Sequence, residues 1–208
     1  GSVSGDADGT GLYVRSIRDV EARKIASAGR APFFSPDSRW LGFFVEKAMY
    51  KVPVDGDRPQ QICKVPDTLS QRGASWGDDG TIVFSSDKTL WRVPASGGEP
   101  TALTRPTSSP TSNARHYWPQ VLPGSAAAVF TINEGYNDRF RRIGVVSMRT
   151  GDVRTFPALS GSAPRYVPSG HLVYSRHGVL HAVPFNLSRL EDTGEPVKVV
   201  DGVSTPSG

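Results

Sequence analysis

The segment Trp76-Gly-Asp-Asp-Gly-Thr81, a tight turn that leads directly into the apolar run Ile82-Val-Phe84, decides the fold because it recurs. Comparable turns are Phe34-Ser-Pro-Asp-Ser-Arg39, Val121-Leu-Pro-Gly-Ser125 and Val167-Pro-Ser-Gly-His171. The four turns repeat every 42, 45 and 45 residues when they are aligned on Pro36, Asp78, Pro123 and Pro168. A period of this length that holds only short strands indicates β-propeller blades. The predicted fold class is therefore all-β, with four-stranded antiparallel blades.

Each repeat divides into four predicted strands, A to D. In the second repeat they cover Gly73–Gly77, Thr81–Ser85, Leu90–Pro94 and Pro100–Thr104. The B strands are β-branched and aromatic, as expected of strands buried on both faces between neighbouring blades. Over the whole chain we predict a flexible tail at 1–10, a half blade at 11–29, and a second tail at 201–208. Four complete blades are predicted at 30–65, 72–104, 116–157 and 163–200.

A single propeller usually closes with about four to eight blades and protects its strand edges, whereas the predicted four and a half blades leave an unpaired edge at each end. Two explanations stay open. Either the chain is a piece of a larger ring, which we favour, or two chains complete each other. Unpaired edges promote association, so we predict a homo-oligomer, a dimer or a higher assembly, that covers the open blade edges.

Three stretches resemble the TolB-like, WD-type six-bladed propellers that lie C-terminal to bacterial Ser/Thr protein kinases or transcriptional regulators. They are Gly73-Ala-Ser-Trp-Gly-Asp-Asp-Gly-Thr-Ile-Val-Phe84, Leu90-Trp-Arg-Val-Pro-Ala-Ser-Gly-Gly-Glu-Pro100 and Tyr166-Val-Pro-Ser-Gly-His-Leu-Val-Tyr174. The resemblance implies an extracytoplasmic (periplasmic) domain that acts as a sensor or a protein-binding platform. The chain departs from that family's Pro-Asp-Gly turn at Ser38 and at Gly124-Ser125.

Composition excludes several classes of function. Lys and Arg number 24 against 20 Asp and Glu, and no basic run occurs, so no nucleic-acid partner is expected. Cys63 is the only cysteine, which rules out an intrachain disulfide and favours a small core residue. No apolar run approaches the length of a membrane helix, so no membrane insertion is expected in this segment. No targeting signal and no cofactor motif are recognised.

Three motifs invite a chemical interpretation that we do not adopt. Gly73-Ala-Ser75-Trp-Gly77 matches the nucleophile elbow of hydrolases, but it lies in a predicted strand followed by a β-turn instead of a helix. Metal binding requires converging ligands, which alternation does not assure for His171, His177 and His181. The Asp6-Ala-Asp8-Gly9 run lacks the later acidic residues of a calcium loop. We therefore predict no catalytic and no metal-binding residues.

The candidate binding residues are arginines at the starts of the A strands. Arg30, Arg72, Arg115 and Arg165 each lie three to eight residues before a turn anchor, and His116 and Trp118 follow Arg115. A ring of guanidinium groups at the mouth of a propeller channel favours an anionic partner such as a carboxylate. The alternative is that these arginines are ordinary solvated loop charges. The predicted ligand-binding residues are thus Arg30, Arg72, Arg115, His116, Trp118 and Arg165.

The sequence favours a non-enzymatic module that binds or senses a protein, an anionic peptide or a small ligand, as part of a larger signalling protein. Two alternatives come from other classes. One is the propeller segment of a prolyl-oligopeptidase-like hydrolase, in which the ring gates substrate access. The other is a structural scaffold that docks partner proteins.

Overall fold

The computed structural model describes residues 2–4, 11–56, 58–66, 72–105, 114–135 and 140–203. Over these ranges the strands form five antiparallel sheets, called blades 1 to 5, and no residue belongs to an α-helix. Blade 1 has three strands, β1 (Ser2–Ser4), β2 (Leu12–Arg15) and β3 (Arg23–Ala26). Blade 2 has β4 (Arg30–Phe34), β5 (Trp40–Val45), β6 (Ala48–Pro53) and β7 (Gln60–Lys64).

The remaining three blades follow in chain order. Blade 3 has β8 (Ala74–Trp76), β9 (Thr81–Ser86), β10 (Thr89–Pro94) and β11 (Thr101–Ala102). Blade 4 has β12 (Arg115–Val121), β13 (Ala127–Asn133), β14 (Arg141–Ser147) and β15 (Val153–Ser160). Blade 5 has β16 (Ser162–Val167), β17 (His171–Arg176), β18 (Val179–Asn186), β19 (Glu191–Asp192) and β20 (Val197–Asp201). Both β19 and β20 pair with β18.

The predicted fold class is confirmed, and most strands lie within one or two residues of their predicted bounds. Two strands were not predicted. The first, β1, lies within residues 1–10, the predicted flexible tail, and pairs with β2 through Ser2 opposite Arg15 and Ser4 opposite Tyr13. The second, β19, forms a short ladder in which Phe185 lies opposite Asp192. Neither carries an apolar alternation, because each is too short to show one.

The core of the protein is divided among the contacts between successive blades. An apolar cluster fills each of the four contacts, because a blade between two others is covered on both faces and the middle of its B strand is apolar. Between blades 3 and 4, for example, Val83 and Leu90 pack against residues that include Ala128 and Phe130. Blade stacking therefore supplies most of the buried apolar surface.

The four inner strands, β4, β8, β12 and β16, lie side by side around the centre of the structure. Each has a residue in the left-handed region five positions before its turn anchor: Ala31, Gly73, Trp118 and Ala163, with φ of 47°, 89°, 49° and 52°. In β4, β12 and β16 this position coincides with a shift in strand register and is followed by proline. These three inner strands therefore share a bulge that turns their backbone out of a regular ladder.

Blades 4 and 5 are joined without a loop. The outer strand β15 ends at Ser160, and β16 begins at Ser162, so that Gly161 alone links them. A Cβ atom on Gly161 would lie 2.6 Å from the carbonyl oxygen of Ser175, and only glycine fits this approach. The Gly161 amide donates to the Arg141 carbonyl at 3.0 Å, which fixes the crossing in place.

Candidate functional site

A cavity of about 560 Å³ lies along the inner strands of blades 2 to 5. This volume falls within the range of small-molecule and peptide sites. Aromatic rings and prolines supply most of its wall, with Phe34, Trp76 and Tyr166 among them. The charged residues that line it are Asp78, in the turn after β8, and Arg165, in β16. The cavity therefore combines apolar walls with a small number of charged groups.

Two polar side chains in the cavity wall join adjacent blades. Ser75 Oγ accepts a hydrogen bond of 2.9 Å from the amide of Val121. One blade further on, Gln120 Nε2 donates to the carbonyl of Tyr166 at 3.3 Å, and Gln120 Oε1 accepts from the Tyr166 amide at 2.5 Å. Ser75 and Gln120 occupy the same position, three residues before their turn anchors. One polar side chain in blade 3 and one in blade 4 thus fix the spacing to the next blade.

Arg165 occupies that same position in blade 5 and lines the cavity. Its Nη1 donates to the carbonyl of Trp118 at 3.2 Å and to that of Pro164 at 2.9 Å. These bonds use one nitrogen, whereas a guanidinium carries five N–H donors on three nitrogens. The surrounding protein disfavours the charged form and lowers the pKa of Arg165, but a guanidinium still remains protonated at neutral pH. Arg165 is therefore a fixed positive charge in the wall of the cavity.

Four arginines, called here the arginine cluster, surround the ring pair of Tyr117 and Trp118. The cluster consists of Arg72, Arg115, Arg141 and Arg165. Arg72 lies over the Tyr117 ring at 5.4 Å, and Arg115 Nη1 donates to the Tyr117 hydroxyl at 3.3 Å. Arg141 lies over the Trp118 ring at 5.6 Å. Stacking on an aromatic face holds a guanidinium in a defined orientation.

Trp118 holds a strained backbone at the centre of this cluster. Its φ of 49° lies in the left-handed region, which is uncommon for a bulky residue. Its amide donates to the carbonyl of Arg72 at 2.8 Å, and its carbonyl accepts from Arg165. Bonds from both neighbouring blades thus hold a conformation that costs about 1–3 kcal/mol, a feature that is frequent at binding sites.

The predicted binding residues separate into two groups. Arg72, Arg115, Trp118 and Arg165 lie together at the ring pair. Arg30 begins β4 in blade 2, where it is exposed and its backbone pairs with Phe44. His116 is only 6% exposed and packs its ring edge against Phe130 at 4.8 Å, in the core between blades 3 and 4. Strand alternation explains its placement, since successive side chains point to opposite faces.

Burial determines the protonation of His116. Desolvation lowers the pKa of its imidazole to about 4. The Thr104 hydroxyl lies 2.8 Å from His116 Nδ1 and also accepts the Leu90 amide at 2.9 Å. A hydroxyl has one donor and two acceptor sites, so the Thr104 hydroxyl can pair with His116 Nδ1 in either neutral tautomer. His116 is a neutral core residue at physiological pH.

The structure gives a position to two of the three motifs that suggested chemistry. Ser75 of the Gly-x-Ser-x-Gly match holds the Val121 amide, as described. His177 is at a hairpin tip with a φ of 50°, and His181 stacks on Tyr174 at 5.6 Å. His171 bonds within its own turn, to Ser169. Within the described ranges no three histidine, cysteine or acidic side chains are grouped as a metal site. The Asp6 and Asp8 motif lies outside the described residues.

The sequence-based prediction missed several residues of the site. Arg141, Gln120 and Tyr166 were not among the predicted binding residues. One signal could have indicated Gln120 and Ser75: both precede a turn anchor by three residues, the position of Arg165. The stacking of Arg141 on Trp118 has no such signal, because it depends on the inner-strand bulge.

Comparisons with known proteins support the architecture. No protein-family model matches the chain, and neither does a curated protein sequence. Among solved structures, a TolB from Acinetobacter baumannii matches with a TM-score of 0.69 and 15% sequence identity. A TolB from Agrobacterium tumefaciens, described as putative, matches with a TM-score of 0.67 and 19% sequence identity. Regucalcin from Agrobacterium tumefaciens, described as a calcium-binding protein, matches with 0.62 and 16% over 86% of this chain and 61% of its own.

Both TolB matches cover 97% of this chain, but they cover only 51% of the Acinetobacter protein and 71% of the Agrobacterium protein. At these identities the likeness concerns the fold. None of the described residues lies in a helix long and apolar enough to cross a membrane. The stacked four-stranded sheets, the shared inner-strand bulge and the solved neighbours together establish that the chain has a TolB-like β-propeller fold.

Proposed function

We propose that the chain is a non-enzymatic binding module whose central cavity takes an anionic peptide segment or a small carboxylate. The observation that carries the proposal is the position of the Arg165 guanidinium in the wall of a 560 Å³ cavity lined by aromatic rings. A carboxylate can accept two parallel N–H bonds from such a group, while an adjoining apolar part packs against Trp76 and Tyr166.

The arginine cluster adds to the attraction. Arg72 precedes β8 and Arg115 begins β12, and both lie beside the ring pair, so that they add positive charge near Arg165. Ser75, the residue of the hydrolase-like match, already accepts the Val121 amide, which supports a structural role for it. We further propose that the module belongs to a larger, extracytoplasmic signalling protein and that it self-associates when its open edges are uncovered.

Substitution of Arg165 tests this proposal. We propose to titrate the full chain with a set of short acidic peptides and free carboxylates, by calorimetry or by the fluorescence of Trp76 and Trp118. Arg165→Ala should weaken binding of any ligand that the wild type takes by about tenfold or more, since bonds to charged groups contribute about 1.5–3 kcal/mol. Arg72→Ala should have a smaller effect that grows at low salt.

Arg176→Ala provides the matched control, because Arg176 is exposed in β17 and does not line the cavity. It should leave affinity unchanged. Equal affinities for wild type and Arg165→Ala, measured at low and at physiological salt, would exclude the cavity as the anion site. Retained binding of a whole protein by Arg165→Ala would instead favour a docking scaffold.

A further inference from the structure

Equivalent residues of blades 2 to 5 line the central cavity at three successive levels. The turn anchors form the anchor level, which consists of Pro36, Asp78, Pro123 and Pro168. The residues three positions earlier form the arginine level, which consists of Phe33, Ser75, Gln120 and Arg165. Between these two lies the apolar level, which consists of Phe34, Trp76, Val121 and Tyr166. Each level therefore takes one residue from each of the four blades.

The two outer levels each contain one charged residue at a position where the other blades carry neutral ones. At the anchor level the other three blades have proline, so the turn itself does not require a carboxylate. At the arginine level the other three blades have phenylalanine, serine and glutamine, so the strand does not require a guanidinium. A residue that departs from its repeat without a structural need is a candidate for function. Asp78 and Arg165 both meet this description.

The contacts of Asp78 leave most of its carboxylate available. Its Oδ2 accepts the amide of Gly124, in the turn of blade 4, at 3.1 Å. A carboxylate offers about four acceptor sites, and the Asp78 side chain is exposed. Over the described ranges no ion pair involves Asp78 or Arg165. The cavity thus holds a carboxylate without a cation and a guanidinium without an anion.

The repeat also sets the distance between these two charges. A rise of about 3.3 Å per strand residue separates the anchor level from the arginine level by about 10 Å along the inner strands. An extended chain of three residues spans a similar length, about 10 Å. The aromatic rings of Phe34, Trp76 and Tyr166 lie between the two levels. The wall therefore presents a negative group, an apolar band and a positive group in that order.

We infer that the ligand of this cavity is zwitterionic, with its carboxylate at Arg165 and an ammonium or guanidinium group at Asp78. An apolar stretch about three residues long joins the two groups and packs against the aromatic rings. The inference rests on the proposed function and deepens it, because it names which carboxylates the cavity prefers. Asp78 is then a specificity-determining residue. Asp78 is not grouped with two other metal-ligating side chains in the described part of the chain, so an organic cation suits it better than a metal ion.

Two forms of one peptide test the inference. Trileucine with free termini carries an ammonium about 10 Å from its carboxylate when it is extended, and N-acetylated trileucine keeps only the carboxylate. Calorimetric titration of the full chain measures both affinities. The wild type should bind the free form about threefold to tenfold more tightly, the range expected of an ion pair that is partly exposed to solvent. Asp78→Asn should bind the two forms equally.

Asp79→Asn provides the matched control. Asp79 is exposed in the same turn, but it does not line the cavity, and its Oδ1 accepts the Thr81 amide at 2.9 Å. This variant should keep the wild-type preference for the free form. An asparagine at position 78 can still accept the Gly124 amide through its side-chain oxygen, so Asp78→Asn should also keep the wild-type thermal midpoint.

The outcomes separate this inference from the proposed function. Equal affinities of the wild type for the two forms, both weakened by Arg165→Ala, would overturn the inference and leave the carboxylate site intact. A preference that persists in Asp78→Asn would overturn it as well, because the cationic group would then bind elsewhere. Failure of both forms and of all other carboxylates to bind would reject the proposed function, and the inference with it.

Discussion

The hydroxyl oxygen of Ser75 accepts the backbone amide of Val121 across the boundary between blades 3 and 4, at 2.9 Å. This bond explains why a serine stands between two glycines in a segment that resembles a hydrolase motif. Gly77 faces the same boundary, where a Cβ atom would lie 2.7 Å from Ser125 Oγ. The glycines thus permit close approach of two blades, and the serine fixes that approach.

Ser75→Ala should destabilise the protein by about 1–2 kcal/mol, because it leaves the amide of the buried Val121 without its acceptor. Chemical denaturation measures the effect, with the exposed Ser27→Ala as control. A structural role also predicts that the substitution leaves the reactivity toward a serine-directed fluorophosphonate unchanged. Loss of labelling in Ser75→Ala, with labelling present in the wild type, would contradict this account.

Gln120→Leu should cost more than Ser75→Ala, about 2 kcal/mol or above, since Gln120 satisfies both the amide and the carbonyl of Tyr166. Leucine is similar in volume, so the comparison isolates the polar groups. Gln61→Leu, at an exposed position of β7, is the matched control. Equal unfolding free energies for Gln120→Leu and Gln61→Leu would show that the two bonds from Gln120 to Tyr166 do not contribute to stability.

Stability should fall as the pH drops from 6.5 to about 4. In the folded chain burial depresses the pKa of His116 to about 4, against an ordinary value of 6.5. Between these values the unfolded chain binds the proton and the folded chain does not, so acid favours unfolding. The full effect is about 3 kcal/mol. His116→Gln should flatten the stability profile between pH 5 and 6.5. An unchanged slope would contradict the assignment.

Cys63 should resist alkylation in the folded protein. The thiol is buried between blades 2 and 3, where desolvation, aided by the negative charge of Glu99, raises its pKa to about 11. Only the thiolate reacts, so labelling by iodoacetamide at pH 8 should be slow in buffer and fast in denaturant. Mass spectrometry over time measures both rates. Rapid labelling under native conditions would indicate that the contact between blades 2 and 3 opens.

The isolated chain should form dimers or larger assemblies at micromolar concentration, because β20 leaves apolar residues and an open edge uncovered. Light scattering after size exclusion measures the mass. Val199→Asp should shift the distribution toward the monomer. A wild-type chain that elutes as a clean monomer across a wide range of concentration would contradict this expectation.

The regular part of the fold follows from local signals in the sequence. The turn at Trp76–Thr81 and the apolar run after it define β9 almost to the residue, because turn chemistry and β-propensity agree there. The β15 strand is different. It was predicted to end near Pro157, yet it continues to Ser160, since pairing with Arg142 compensates for the proline. A local pattern does not report that distant partner.

The site was only partly predictable for a related reason. Arg72, Arg115 and Arg165 lie together because the inner strands of successive blades, in or beside which they were predicted, meet around the centre. The prediction included His116 because the sequence does not show which side chains of β12 point toward the centre. The bulge at Trp118 sets that alternation. The bulge depends on two hydrogen bonds to neighbouring blades: the Trp118 amide donates to the Arg72 carbonyl, and the Trp118 carbonyl accepts from Arg165.

The single-residue passage through Gly161 divides the chain into regions of unequal tolerance to engineering. Longer stretches of sequence separate β7 from β8 and β11 from β12. Blades 4 and 5 are linked by one residue, so a cut or an insertion at their boundary would disrupt β15 or β16. A circular permutation opened there would separate β15 from β16 and lose the crossing bond to Arg141, so the two blades are best exchanged or transplanted as a pair.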